Sequence, residues 1–253
     1  MPPKTTIGMN IEAQLEHDLR VRQELRDILL IKARSSFYTF VQLMAPVIIP
    51  GFIDGKHIKL VADTLEWAYR TDNARVMIFL PPGAMKSRLG SILFPAWVFG
   101  QRPDWQILHV GHSADFTASF GADIRDLMCL DEYKEIFPNL SLDENYQARE
   151  HWRTKQKGIY RSAGVGGAIA GKRGNFGICD DLISEQNADS KPENEKVHKW
   201  WPRGFESRIL PKGKIVLINT RWNCLLPETM VELEYGLLKP IKDILPKEDL
   251  VNC

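Results

Sequence analysis

The sequence predicts an α/β fold with a mainly parallel sheet, on three observations. Short apolar runs alternate with stretches of helical periodicity, the runs are apolar enough for strands covered on both faces, and the first of them ends in a Pro-Pro-Gly turn that opens a helix. From Ile11 to Lys32, Ile11, Leu15, Leu19, Leu25, Ile28 and Leu29 recur at helical spacing among charged residues, which predicts an amphipathic helix for packing or partner contact. Residues 1–45 form this N-terminal helical segment, and Pro46, Pro50 and Gly51 break the pattern. A second helix is expected from His57 to Arg70, and it leads into the apolar run Arg75 to Leu80, closed by Pro81-Pro82-Gly83. A helix from Lys86 to about Trp97, a buried strand at Gln106 to Val110 and a helix from Ala114 to Met128 continue the alternation. Further strands are expected at Phe176 to Cys179 and Lys214 to Ile218, with a Gly-rich stretch from Gly164 to Gly174 ahead of the first.

Composition bounds the function without choosing it. The 253 residues carry a net charge of +1 with 44% hydrophobic residues, which describes a globular chain rather than a disordered one. Six acids and three lysines give residues 224–253 a charge of −3, leaving +4 on residues 1–223, so net charge alone makes no case for nucleic acid. No apolar run approaches a membrane span and the N-terminus lacks the apolar stretch of a secretory signal, so the expected location is the cytoplasm. Cys129, Cys179, Cys224 and Cys253 are too scattered for a disulfide framework or a zinc site.

The segment Leu80-Pro81-Pro82-Gly83-Ala84-Met85-Lys86-Ser87 lies between a predicted strand and a predicted helix, the order of a phosphate-binding loop. Pro82, Gly83, Ala84, Met85, Lys86 and Ser87 would cradle the phosphates of ATP, with Lys86 reaching the β- and γ-phosphates and Ser87 ligating Mg²⁺. Leu80 and Met85 stand where the strict G-x-x-x-x-G-K-[ST] pattern has its glycines, so a helix that merely starts with a surface Lys-Ser is the competing reading. Asp180-Asp181 follow the apolar run Phe176 to Cys179, where a P-loop NTPase holds Mg²⁺ with one acid and polarises water with the next; here the competing reading is an Asp that caps a helix.

With Gly171-Lys172-Arg173-Gly174 ahead of the acids, Ser207-Arg208-Ile209-Leu210 after them and Asn219-Thr220-Arg221-Trp222 closing a strand, the series resembles the ATPase domain of the large terminase subunit of tailed bacteriophages. The resemblance covers about Arg34 to Asn223, with residues 46–223 as the P-loop ATPase core. It implies that Asp180 binds Mg²⁺, that Asp181 is the catalytic carboxylate, and that Thr220 and Arg221 couple hydrolysis to movement of double-stranded DNA. It also implies a ring on a capsid portal, a small terminase subunit as partner, and the host-cell cytoplasm as the location. The family's loop often has Arg ahead of its lysine, where this chain has Pro-Pro-Gly, which leaves Arg173 and Arg208 as candidates for an arginine finger. A terminase of this type continues into a nuclease, for which the few dozen residues after the coupling motif have no room. Alternatives from other classes are a helicase-like P-loop remodeller and a binding module that uses the fold without hydrolysis.

At Cys224 a different pattern begins. Thr229, Val231, Leu233 and Tyr235 alternate with Met230, Glu232 and Glu234, Gly236 turns the chain, and Leu237 to Ile244 offers a return strand, which predicts a β-hairpin over residues 224–253. A leading Cys, a Thr five residues on, alternating apolar positions and a Gly turn resemble the first conserved block of inteins (Hint-type folds). The thiolate of Cys224 can attack the carbonyl of Asn223 and turn the Asn223–Cys224 amide into a thioester. An intein also needs a Thr-x-x-His segment and a terminal His-Asn, and no histidine follows Cys224. The expectation is an N-terminal intein fragment joined by trans-splicing to a partner that carries the rest of the intein and the terminase nuclease half; a truncated terminase ending in an ordinary hairpin is the alternative.

Overall fold

A computed structural model describes residues 5–167, 169, 171–220, 230–232 and 238–240, with side chains described for those of residues 14–220 and for Lys239. Three helices come first, α1 (Thr5–Ser35), α2 (Phe37–Ile48) and α3 (Lys56–Arg70). Ser36 separates α1 from α2 because its hydroxyl accepts from the Thr39 N–H, a local cap that starts a new helix. The sequence reading ended the N-terminal segment at residue 45, but α2 runs through Pro46 to Ile48. On α3, Ile58, Val61, Ala62, Leu65 and Ala68 are buried at helical spacing, one apolar stripe turned to the core.

The remaining elements are β1 (Arg75–Phe79), a π-helical turn at Arg88–Leu93 continued by α4 (Phe94–Gln101), β2 (Gln106–Gly111), α5 (Ala114–Cys129), α6 (Asp131–Ile136), β3 (Leu142–Gln147), β4 (His151–Thr154), β5 (Ile159–Gly164), β6 (Gly174–Asp180), α7 (Lys191–Trp200) and β7 (Ile209–Asn219). They build a seven-stranded sheet in the order β1-β7-β6-β2-β5-β4-β3. Its first five strands are parallel, and β4 and β3 add an antiparallel extension. The predicted α/β class with a mainly parallel sheet is therefore what the chain adopts. The sequence reading missed α6, α7 and the three strands β3, β4 and β5.

Two apolar layers sandwich the sheet. One face carries Ile107, Phe176, Ile178, Val216 and Ile218 and packs on the helices, where Phe37, Phe94 and Trp97 meet ring to ring. The other face carries Leu108, Val110, Cys179 and Ile215, covered by Ile169 from the stretch before β6 and by Leu182 and Phe205 from the segments flanking α7. Burying a large apolar side chain contributes about 1.5–3 kcal/mol, so this two-sided burial is what fixes the strand order. Gly90, in the turn after β1, allows close approach to the sheet, because a Cβ there would lie 2.2 Å from the Ile218 side chain on β7. A larger residue there would force the Ile218 side chain to move.

Residues 221–229, 233–237 and 241–253 lie outside the described residues, and with them the expectations for Arg221, Asn223, Cys224 and Cys253. Within the predicted hairpin, β8 (Met230–Glu232) pairs antiparallel with β9 (Leu238–Pro240), Met230 facing Pro240. No helix among the described residues is long and apolar enough to cross a membrane.

Candidate functional site

The carboxyl ends of β1, β7, β6 and β2 meet at one edge of the parallel sheet, the place where open α/β sheets collect ligands. The turn after β1 is bent by two residues with left-handed backbone, Gly83 at φ +80° and Met85 at φ +62°. Glycine suits the first, and the second is strained for a side chain with a Cβ. This bend delivers Lys86 and Ser87 to the first turn of the helix, whose N–H groups have no acceptor within the helix. Lys86 is not a surface residue: its side chain is 11% exposed, and its Nζ lies 2.8 Å from Asp181 Oδ2. That geometry removes the surface-lysine alternative for the loop.

Asp180 ends β6 fully buried and Asp181 begins the turn with φ +42°. Asp180 Oδ2 accepts from the Ser91 hydroxyl at 2.7 Å. Burial pushes the Asp180 pKa up; the hydroxyls of Ser91 and nearby Ser87 pull it back, the Asp181 charge adds to the rise, and Lys86 opposes it. Asp180 Oδ1 is buried without a hydrogen-bond partner. Asp181 takes a different set of contacts. Its Oδ2 holds Lys86, its Oδ1 accepts from the backbone N–H of Thr220 at 3.0 Å, and its carbonyl accepts from the His112 N–H at 3.0 Å. The next short helical turn has Ser184, not Asp181, at its N-cap position, so Asp181 is not a helix cap.

The site thus brings together Lys86, Ser87, Asp180, Asp181 and Thr220 from β1, β6 and β7. Asn219 Oδ1 and Thr220 Oγ1, at the end of β7, are buried with no partner among the described residues. No hydrogen bond or ion pair brings Arg173 or Arg208 to this cluster; Arg173 is exposed beside β6 and Arg208 lies in the short turn before β7. Sequence reasoning missed Ser91 and His112. Ser91 sits four residues beyond Ser87 on the same helix face, a spacing readable once Ser87 is suspected. His112 follows β2 by one residue, and only the strand order shows that β2 lies beside β6.

The donor set suits a hard cation. A hydroxyl and a buried carboxylate with one unsatisfied oxygen match Mg²⁺, which is held by one or two carboxylates together with substrate phosphates. Among the described residues no group of three or more His, Cys, Asp or Glu side chains is gathered, so the protein offers no all-protein metal cage there. Cys179 is buried with its thiol pKa pushed well up by burial, and so stays an unreactive core residue. No known protein-family model matches the chain, and no curated protein is significantly similar to it.

Proposed function

We propose that the chain is a P-loop ATPase that works as the DNA-packaging motor part of a terminase large subunit. The observation that carries this reading is the Lys86–Asp181 pair beside the Ser87–Asp180–Ser91 cluster, at the joined ends of β1, β6 and β7. Lys86 and the first-turn N–H groups would bind the triphosphate, Ser87 and Asp180 would hold Mg²⁺, and Asp181 would orient the attacking water. Bound Mg²⁺ would draw charge from the β- and γ-phosphate oxygens. In the nucleotide-free protein Lys86 neutralises Asp181 at 2.8 Å. A phosphate that takes over Lys86 releases the Asp181 oxygen to accept a proton from water. Thr220 supports the coupling role through its backbone, since its N–H holds the other oxygen of Asp181 and a shift at the end of β7 moves the carboxylate. Duplex DNA, the portal, a small subunit and ring assembly belong to the same proposal.

The strand order supports a nucleotide motor over a generic helix N-terminus, because β7 stands between the loop strand β1 and the acid strand β6 and so contacts both halves of the site. Phosphate release from Mg²⁺·ATP in the presence of duplex DNA tests the reading. Lys86→Ala is expected to abolish turnover, and Asp181→Asn is expected to keep nucleotide affinity while turnover falls about 10²–10⁴-fold. Normal turnover by the Lys86 variant contradicts the site.

The second part of the proposal is that residues 224–253 are the N-terminal fragment of a split intein, with Cys224 as nucleophile at the Asn223 junction. The antiparallel β8–β9 pair supports it, as does the −3 charge of this segment, which would steer a basic partner fragment. Mixed with a cognate partner, the chain should yield a product joined at Asn223, read by mass spectrometry. Cys224→Ala should stop the joining and Cys253→Ser should leave it intact; joining that survives Cys224→Ala removes the intein and leaves a truncated terminase.

A further inference from the structure

Strand alternation divides the antiparallel extension into two chemically different faces. Trp152 and Tyr160 pair across β4 and β5, stack at 5.0 Å and point to α5, where the Trp152 indole donates to the Gly121 carbonyl. The residues between them turn to the opposite face, where His151 lies directly across from Arg161 and Arg153 follows two residues on. Lys172, from the Gly-rich stretch before β6, adds its charge to the same place. On that side α7 and the turns after it cover β6 and β7, through Phe205 against Gly177, while His151, Arg153 and Arg161 remain half-exposed.

These cations lack internal counter-charges. Among the described residues, neither Arg153, Arg161 nor Lys172 forms an ion pair with a carboxylate, although Lys155, just beyond β4, reaches Glu144 on β3. Burial, followed by Arg161, Arg153 and Lys172, lowers the His151 pKa, and Glu150 is the acid that opposes the shift. Burial and then Arg153 lower the Arg161 pKa too. Arg153 stacks 4.0 Å above the Tyr146 ring, which fixes its plane, and among the described residues the side-chain bond of Arg161 is a long one of 3.4 Å to Gln106. Arg153 Nε and His151 Nε2 are buried and have no hydrogen-bond partner. Arg153 and Arg161 are thus like charges held close together on one half-exposed face, with the Arg153 plane fixed by Tyr146.

We propose that the exposed face of β4 and β5, formed by His151, Arg153, Arg161 and Lys172, binds the phosphate backbone of nucleic acid, and that its partner is duplex DNA. The choice of DNA rests on the packaging reading above; the phosphate chemistry does not. A planar guanidinium held over an aromatic ring presents paired donors to a phosphate, and an array of such groups on a rigid strand pair positions a backbone without reading bases. The face is separate from the nucleotide cluster, so gripping and hydrolysis use different side chains on one sheet.

Fluorescence anisotropy of the full chain with a labelled random-sequence duplex, at about 50 and about 200 mM salt, tests the proposal. Removing three phosphate contacts in the triple variant Arg153→Ala, Arg161→Ala, Lys172→Ala should weaken low-salt binding by more than tenfold and cut the affinity ratio between the two salt conditions by about 40-fold. Arg153→Lys with Arg161→Lys should recover most of the salt dependence, which a merely structural role would not produce. In the unaltered protein, duplex should protect Lys172 from acetylation and leave Lys59, on α3, fully reactive. Unchanged affinity and salt slope in the triple variant, unprotected Lys172, or tighter binding of polyglutamate than of duplex each overturn the proposal. Mg²⁺·ATP binding measured on the same samples keeps the two readings apart. Duplex bound on this face by a chain that takes no nucleotide supports the surface and overturns the motor, and the reverse result overturns the surface alone.

Discussion

At the β1–β7–β6 end of the sheet the buried charges pair inside the protein, whereas on the outer face of β4 and β5 Arg153 and Arg161 have no ion pair among the described residues. Lys86 and Asp181 are nearly buried and satisfy each other, and Asp180 is held by Ser91. Across the sheet, Arg153, Arg161 and Lys172 crowd together with Glu150 as the nearest opposing charge acting on His151. A buried ion pair is costly to assemble and easily redirected by a stronger anion, which suits a site that must exchange partners during a reaction cycle. A half-open cluster of one sign remains attractive at all times, which suits a surface that holds a polyanion. Between the two ends, on β2, His109 is wholly buried against Phe120 with its Nδ1 2.9 Å from the Tyr160 hydroxyl.

The contrast predicts opposite responses to pH, and the His109 effect should be the larger. Burial lowers the His109 pKa to about 3 from 6.5, so the unfolded chain binds a proton that the folded one refuses, and stability falls as pH drops below 6.5. Denaturant unfolding at pH 5 should show about 2 kcal/mol less stability from this group than at pH 7. His109→Gln should flatten that slope; an unchanged slope would mean that His109 is not the group responsible.

Asp180 works in the other direction. Its pKa is raised by burial, so the folded protein holds the proton longer than the unfolded chain, and stability falls as pH rises from the ordinary carboxylate value through the folded one. At neutral pH and without nucleotide, Asp180→Asn should raise the melting temperature by roughly 3 °C, because the neutral amide can still accept from Ser91. A lower melting temperature would show that the ionised carboxylate is stabilised in place.

What could be read from the sequence follows the same division. β2, β6 and β7 were legible because strands covered on both faces need nearly continuous apolar runs, as at Ile215 to Ile218, and edge strand β1 was legible from its apolar run although Met77 and Phe79 are exposed. The adjacent acids at the end of such a run, and the Lys-Ser after the Pro-Pro-Gly turn, mark the site without any long-range information. β4 and β5 escaped notice because only Trp152, Tyr160 and their neighbours are buried, with arginines between them, and the Leu142 to Gln147 strand is polar almost throughout. α7 buries no residue at all, so it has no apolar stripe to read. Ser91, His112 and the basic face are assembled from distant segments by strand order, which local periodicity does not encode.

The central claim is that Lys86, Ser87, Asp180 and Asp181 form one Mg²⁺–nucleotide site, and thermal unfolding with nucleotide tests it most directly. Mg²⁺·ADP at about a hundredfold excess over its Kd should raise the melting temperature of the unaltered chain by about 5–10 °C. The rise should vanish in Lys86→Ala, and in Asp180→Asn what remains should no longer depend on Mg²⁺. An equal, Mg²⁺-dependent rise in all three proteins would place the nucleotide elsewhere and contradict the account.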